Sequence, residues 1–276
     1  MCKEKRIKGG TNMKRKRKNK LLLIAMIFIF MVIVRNVYAE FKMLVNDGEI
    51  TITDHQIDEE RLLRENPQMK TIFDNKEKYP NILLEMLSRN PDMTDYVLKY
   101  EDNNGKVFMK TIGRVSKGKY PLLLQYDTKW GYGMYGDHVI AINGCGPTSV
   151  AMVVAGLTGR NDLTPYDIAK HAYDHGYYQD GTAWSFFTEG VKEFGLTGQE
   201  IPLSKSSMMN ALNQGRPIIC SMRKGDFTTT GHIITIVGVK DGKFVIHDPN
   251  SKVRSQMLWD YERIEPQIKN LWTFEK

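Results

Sequence analysis

The segment GCGPTSVAMVVAGL, residues 144–157, has the clearest structural signature in the sequence. Pro147 suits the first turn of a helix, where its missing N–H costs no hydrogen bond. The residues that follow are small or apolar on every helical face, which predicts a buried helix, and Gly159 predicts its end. Cys145 therefore lies at the N-terminus of a buried helix, where the helix dipole and free N–H groups favour the nucleophilic thiolate form of cysteine.

A structural role is the alternative for Cys145, because cysteine is among the most buried residue types. The chain has only two further cysteines, Cys2 and Cys220, and this number implies no disulfide framework. Cys220 lies in a short apolar run and is predicted to be a core residue. A single bridge between Cys145 and Cys220 remains open at this point and would remove the nucleophile.

The net charge of +7 is a property of the first 39 residues. They hold eleven Lys or Arg and one acid, a net +10, so +7 minus +10 leaves −3 for the remainder. The body of the chain is therefore mildly acidic, and we expect no nucleic-acid partner.

Residues 1–39 have the pattern of a secretory signal peptide: a basic segment, a 14-residue apolar run at 21–34 and a small residue, Ala39. We expect cleavage after Ala39. The alternative is an N-terminal membrane anchor, although the run is shorter than the roughly 20 residues that span a bilayer. Both alternatives place the rest of the chain outside the cytoplasm, secreted or held at the cell surface, where it can associate with the cell envelope.

Two regions follow. Residues 40–118 carry apolar residues at helical spacing, interrupted by prolines, and are predicted to be a helical N-terminal region that acts as a prodomain, spacer or packing element without chemistry of its own. Residues 119–276 have a loop-like stretch up to residue 140 and then helices before strands, which predicts an α+β domain with an antiparallel sheet. Besides the helix from Cys145 to Gly159, helices are expected at 164–175, 183–194 and 204–215, and strands at 217–222, 231–239, 243–248 and 271–274.

A nucleophilic thiolate needs a base, and the base needs a group that orients it. His232 begins a predicted strand, and Asp248 ends the next one. The turn at Asp241 lies 9 residues after His232 and 7 residues before Asp248, so the two side chains are expected near-opposite across the hairpin. Donors for a developing oxyanion are the Cys145 N–H and the amide of Gln125, which follows an apolar run upstream.

Taken together, these features resemble the C-39-like cysteine peptidases, relatives of the bacteriocin-processing double-glycine leader peptidases. The resemblance covers about residues 120–276 and is carried by Gln125, Trp130, the segment around Cys145, Gly231-His232 and Asp248-Pro249. It implies a papain-like fold, with a helical layer packed on an antiparallel sheet. It also implies that Cys145 is the nucleophile, His232 the general base and acid, Asp248 the orienter and Gln125 the oxyanion donor. The 20-residue spacing from Gln125 to Cys145 is longer than in the leader-processing enzymes, so cleavage at a double glycine is not inferred.

The sequence thus predicts a secreted or surface-held cysteine hydrolase acting on a peptide or protein substrate, with no cofactor or metal. A cell-wall amidase or an acyl transferase on the same scaffold is one alternative, and an inactive peptide-binding module is another. His171 and His175 have helical spacing suited to a metal, but no third ligand is evident. Trp130 is hypothesised to pack beneath the loop that carries Gln125 and hold it in place. No oligomeric state is predicted.

Overall fold

A computed structural model describes residues 59–276. The predicted signal peptide or anchor, residues 1–39, lies outside the described residues. Within 59–276, none of the helices combines the length and apolar character that crossing a membrane requires.

Short helices occupy residues 59–103, where helical spacing was expected. They are α1 (Glu59–Glu65), α2 (Met69–Phe73), α3 (Asn81–Arg89), α4 (Thr94–Leu98) and α5 (Tyr100–Asn103). Many of their apolar side chains are buried, among them Leu83 and Leu87 of α3. That the region acts as a prodomain or spacer stays a prediction.

Six helices follow in the remainder: α6 (Ile140–Asn143), α7 (Cys145–Thr158), α8 (Pro165–Asp174), α9 (Lys205–Asn213), α10 (Lys252–Gln256) and α11 (Tyr261–Ile264). Helix α7 begins at Cys145 and ends at Gly159, which has the left-handed φ of 78° that glycine adopts without strain. Helix α8 begins with a capping box, in which Thr164 and Asp167 satisfy each other's backbone N–H groups. The predictions for these two helices are confirmed.

The main sheet has six strands, and every neighbouring pair is antiparallel. Its strands are β3 (Thr197–Glu200), β4 (Ile218–Met222), β5 (His232–Lys240), β6 (Lys243–His247), β7 (Leu258–Trp259) and β8 (Ile268–Glu275), in the order β3-β8-β4-β5-β6-β7. A small hairpin, β1 (Met134–Tyr135) with β2 (His138–Val139), occupies part of the stretch expected to be loop. Strands β4, β5, β6 and β8 were predicted, whereas β3 and β7 were not.

Helix α7 packs on this sheet and fills the core of the domain. Its residues 146–156 are all buried, and residues 150–154 share one apolar cluster with Ile219 of β4, Ile233 of β5 and Trp272 of β8. The helix layer begins at the cysteine and packs on an antiparallel sheet that carries the histidine. This is the predicted α+β, papain-like arrangement. The fold class is therefore confirmed.

The prediction of one helix over 183–194 is wrong, because this segment forms two 3-10 helices, Trp184–Phe187 and Gly190–Phe194. Phe186 and Phe187 are adjacent in sequence yet both fully buried in the core. Gly190 packs so closely on the Phe186 ring that a Cβ there would lie 2.1 Å from Phe186 Cδ2. Burial of consecutive aromatic rings overrides the helical propensity of this stretch.

Candidate active site

Cys145 is the first residue of α7 and is half-buried. The preceding Gly144 offers no side-chain cap, so the backbone N–H groups of the first turn have no partner within the helix. A Cβ on Gly144 would lie 2.4 Å from Ile140 Cγ2, which explains why glycine stands there. Cys145 and Cys220 are both free thiols, which excludes the bridge between them. Cys220 is fully buried, as expected of a core residue, and burial raises the pKa of its thiol.

His232 and Asp248 form a buried contact. His232 Nε2 donates to Asp248 Oδ1 at 2.7 Å, and the relative exposures of the two residues are 9% and 0%. This bond leaves Nδ1 as the ring nitrogen that faces other partners. Cys145 lies with His232 on the lining of one cleft, and its side chain helps to raise the pKa of the imidazole. The structure therefore brings Cys145, His232 and Asp248 together.

A β-bulge in β5 puts His232 and Asp248 on the same face of the sheet. Near the turn, Lys240 pairs with Lys243, but the register shifts between Ile236 and Gly238. Beyond the shift, Thr235 pairs with His247, so Asp248 falls beside Ile234 and diagonal to His232. Without the extra residue, Asp248 would lie opposite Thr235, on the face that His232 does not share.

The positive charge of the His232 imidazolium and the negative charge of the Asp248 carboxylate stabilise each other. Burial by itself lowers the pKa of His232, but the Asp248 carboxylate and the contact with Cys145 outweigh it and raise that pKa to about 9. Burial by itself raises the pKa of Asp248, but the neighbouring His232 and Arg254 outweigh it and hold that pKa below its usual value. A protonated imidazole beside an ionised carboxylate is the state that these surroundings favour.

Arg254 is a site residue that the sequence did not single out. It lies on α10, and its Nε donates to Asp248 Oδ2 at 2.5 Å. The backbone N–H of Asn250 donates to Oδ1 at 2.7 Å. The only available signal was an arginine six residues after the aspartate, behind the N-cap Ser251.

Gln125 is buried beside the start of α7. Its Nε2 donates to the carbonyl oxygens of Ala141 at 2.7 Å and Ile142 at 3.3 Å. Trp130 is buried nearby, and its indole N–H donates to the Leu124 carbonyl at 2.8 Å, which supports the hypothesis that Trp130 holds this loop. The role of Gln125 as oxyanion donor stays a prediction.

Residues 117–274 match the Peptidase_C39 like family. The chain belongs to this family. The resemblance seen in the sequence is thereby confirmed, and the family indicates a cysteine peptidase.

Two solved structures were compared with this C39-like chain. The peptidase domain of Streptococcus ComA, a bi-functional ABC transporter involved in quorum sensing, has 22% sequence identity and a TM-score of 0.40, covering 56% of this chain and 96% of that one. A protein from Bacillus anthracis described as a C39-like peptidase has 15% identity and a TM-score of 0.39, covering 59% and 98%. Comparison with curated proteins gave no match.

Cys145, His232 and Gln125 of the C39-like domain open onto one cleft of about 720 Å³. One wall of this cleft comes from outside the family match, because Ile82 and Met86 of α3 also line it. The N-terminal region was expected to carry no chemistry, and its apolar spacing gave no sign of which helix would reach the site.

No group of three or more His, Cys, Asp or Glu in the described part of the C39-like chain is arranged to hold a metal ion. His171 and His175 instead stack on each other, with ring centroids 4.0 Å apart.

Proposed function

We propose that the chain is a cysteine peptidase in which Cys145 is the nucleophile, His232 the general base and acid, and Asp248 the residue that orients the imidazole. The observation that carries the proposal is the buried 2.7 Å contact between His232 and Asp248, which lies beside Cys145 at the start of α7. Acyl transfer by a cysteine enzyme requires a thiol, an imidazole beside it and a carboxylate that orients the imidazole.

In the resting state the proton shared by Cys145 and His232 resides on the imidazole, because Asp248 stabilises the imidazolium. The thiolate attacks the substrate carbonyl, a C–S bond forms, and the carbonyl electron pair moves onto oxygen. As the C–N bond breaks, His232 Nδ1 gives its proton to the leaving amine. His232 then takes a proton from water, whose oxygen displaces the thiolate from the thioester and releases the acid.

Two donors serve the oxyanion in this proposal. The Cys145 N–H has no partner within α7, because it belongs to the first turn. The Gln125 amide contributes its second hydrogen by exchanging the longer, 3.3 Å contact with the Ile142 carbonyl. Its 2.7 Å bond to Ala141 keeps the amide in place during that exchange.

The proposal places this activity outside the cytoplasm, either secreted or at the membrane surface, on the basis of the signal-like segment in residues 1–39. A peptide or protein in the cell envelope is the expected substrate class.

The test compares two substrates, denatured casein and purified peptidoglycan, each incubated with the full chain and with its Cys145→Ala variant. New peptide termini in casein, detected by mass spectrometry and absent with Cys145→Ala, are expected. Release of fragments from peptidoglycan alone would assign the site to cell-wall amide bonds instead. No product from either substrate would contradict the peptidase and favour a binding module.

A further inference from the structure

We propose that helix α3, which lies outside the C39-like domain, is the specificity wall of the cleft, and that Ile82 on this wall binds an apolar side chain of an extended peptide. The inference rests on the proposed function, since it names the kind of substrate that the same cleft selects.

The cleft-lining residues of α3 form one face of the helix. They are Ile82, Glu85, Met86 and Arg89, spaced at i, i+3, i+4 and i+7. The opposite side carries Leu83 and Leu87, which are fully buried and fix the helix in its own region. One face of α3 therefore packs within its own region, and another face lines the cleft.

The cleft face has an apolar centre without net charge. Ile82 is 41% exposed, although isoleucine is usually among the most buried residues, and Met86 lies one turn further along. Glu85 and Arg89 beside them are an opposite-charge pair, with Oε2 and Nη2 4.0 Å apart. Such a surface favours an apolar side chain over a charged one, because a charged group would lose water without gaining a free counter-charge.

Helix α3 is attached to the segments that carry His232 and Asp248. Arg89 donates to Thr229 Oγ1, in the segment that leads into His232. Asn90, which follows the helix, donates from Nδ2 to the carbonyl of Asn250 at 2.6 Å, two residues after Asp248. A substrate lying on α3 therefore lies beside the reacting groups.

The helical region is attached to the peptidase domain through buried tyrosines. Tyr96 of α4 stacks on Tyr132, with ring centroids 4.3 Å apart and both side chains buried. The Tyr96 hydroxyl donates to the Gly131 carbonyl at 2.9 Å, and the Tyr132 hydroxyl donates to the Tyr96 carbonyl at 3.0 Å. Loss of α4 would leave these buried groups without partners, so the wall belongs to the working enzyme.

The test measures peptide binding separately from catalysis. The protein is the full chain with Cys145→Ala. The ligands are fluorescein-labelled decapeptides of alternating glycine and serine, with one leucine placed at each position in turn. Binding is titrated by fluorescence anisotropy. Adding Ile82→Ser is expected to raise the Kd of the best leucine peptide about 10-fold, the scale of a lost apolar contact in a binding pocket. Ile82→Leu is expected to retain the affinity.

Asn81→Ser is the matched control, because Asn81 is the exposed neighbour of Ile82 on α3 and does not line the cleft. It is expected to leave the Kd unchanged. Leucine peptides that bind no better than the plain glycine–serine peptide, or equally well with Ile82→Ser, would overturn the inference. Failure of the proposed function gives a different result. In that case the leucine peptides would still bind through Ile82, but the chain that retains Cys145 would hydrolyse no substrate.

Discussion

Arg254 Nε lies 2.5 Å from Asp248 Oδ2, the carboxylate oxygen that His232 does not use. Asp248 is fully buried, and an unpaired carboxylate there would be strongly destabilising. Both oxygens are satisfied, one by His232 and the Asn250 N–H and the other by Arg254. The arginine thus lets the chain keep a buried negative charge next to the imidazole.

Replacing Arg254 by methionine is expected to destabilise the fold at neutral pH by roughly 1.5–3 kcal/mol, the scale of a hydrogen bond to a charged group. The depressed pKa of Asp248 contributes stability that is present above the unfolded-state pKa of about 3.9 and is lost as pH falls through the lower, folded-state value. With Arg254→Met the folded-state pKa rises, so acid unfolding begins at higher pH. Urea unfolding at pH 7 and pH 4 measures both effects, and unchanged stability at pH 7 would show that Arg254 does not support Asp248.

Asp248→Asn is expected to lower the pKa of His232 from about 9, because the carboxylate is what raises it. The imidazolium would then lose its proton at lower pH, and the alkaline limb of the pH–rate profile would shift to lower pH. The rate is expected to fall roughly 10²–10⁴-fold, the range for positioned acid–base groups. A pH–rate series on the cleaved substrate measures this. A variant with the wild-type rate would remove Asp248 from the mechanism.

The raised pKa of His232 also predicts a pH dependence of stability. Its contribution is fully present below the unfolded-state pKa of about 6.5 and is lost as pH rises through the folded-state value of about 9. The free energy of unfolding of the wild type, relative to His232→Gln, should therefore decline over this interval. Denaturant titrations of both proteins at pH 6, 7.5 and 9 give the difference. A difference independent of pH would mean that His232 titrates normally.

Gly146→Ala is expected to disturb the start of α7. A Cβ at Gly146 would lie 2.4 Å from Thr182 Oγ1 and 2.7 Å from Thr182 Cβ. Overpacking of this kind destabilises by roughly 1–3 kcal/mol. Thr182→Gly alone is also expected to destabilise, because it removes the 2.9 Å hydrogen bond between Thr182 Oγ1 and the Tyr135 hydroxyl. Because the Gly146 clash is with the Thr182 side chain, the double variant should lose less stability than the sum of the two single variants. Thermal unfolding of the single and double variants tests the coupling, and strictly additive effects would place the strain elsewhere.

Local sequence signals were sufficient for the candidate nucleophile and its helix. A proline after Cys145, an apolar run and Gly159 define α7 without reference to any other part of the chain. His232 and Asp248 were predicted to lie close together from the hairpin. In a regular hairpin, however, the number of residues from the turn would place their side chains on opposite faces of the sheet. The bulge between Ile236 and Gly238 corrects the register. A glycine within a strand often marks a bulge, but Gly238 alone does not fix the direction or size of the register shift.

Tertiary contacts over long sequence distances could not be predicted in the same way. The contribution of α3 to the cleft depends on contacts from Arg89 and Asn90 to residues more than a hundred positions later. The orientation of the Gln125 amide depends on the Ala141 carbonyl, which lies on α6, 16 residues further along the chain. These features follow from how elements pack, and no single stretch of sequence carries them.

Alkylation of the folded chain with iodoacetamide between pH 6 and 9, read by mass spectrometry at each cysteine, tests whether Cys145 and His232 act as a thiolate–imidazolium pair. Cys145 is expected to react rapidly at pH 6, while Cys220 stays unmodified until the chain is unfolded, and His232→Ala should abolish the rapid reaction. Slow reaction of Cys145 at pH 6, or rapid reaction that persists in His232→Ala, would contradict the pair.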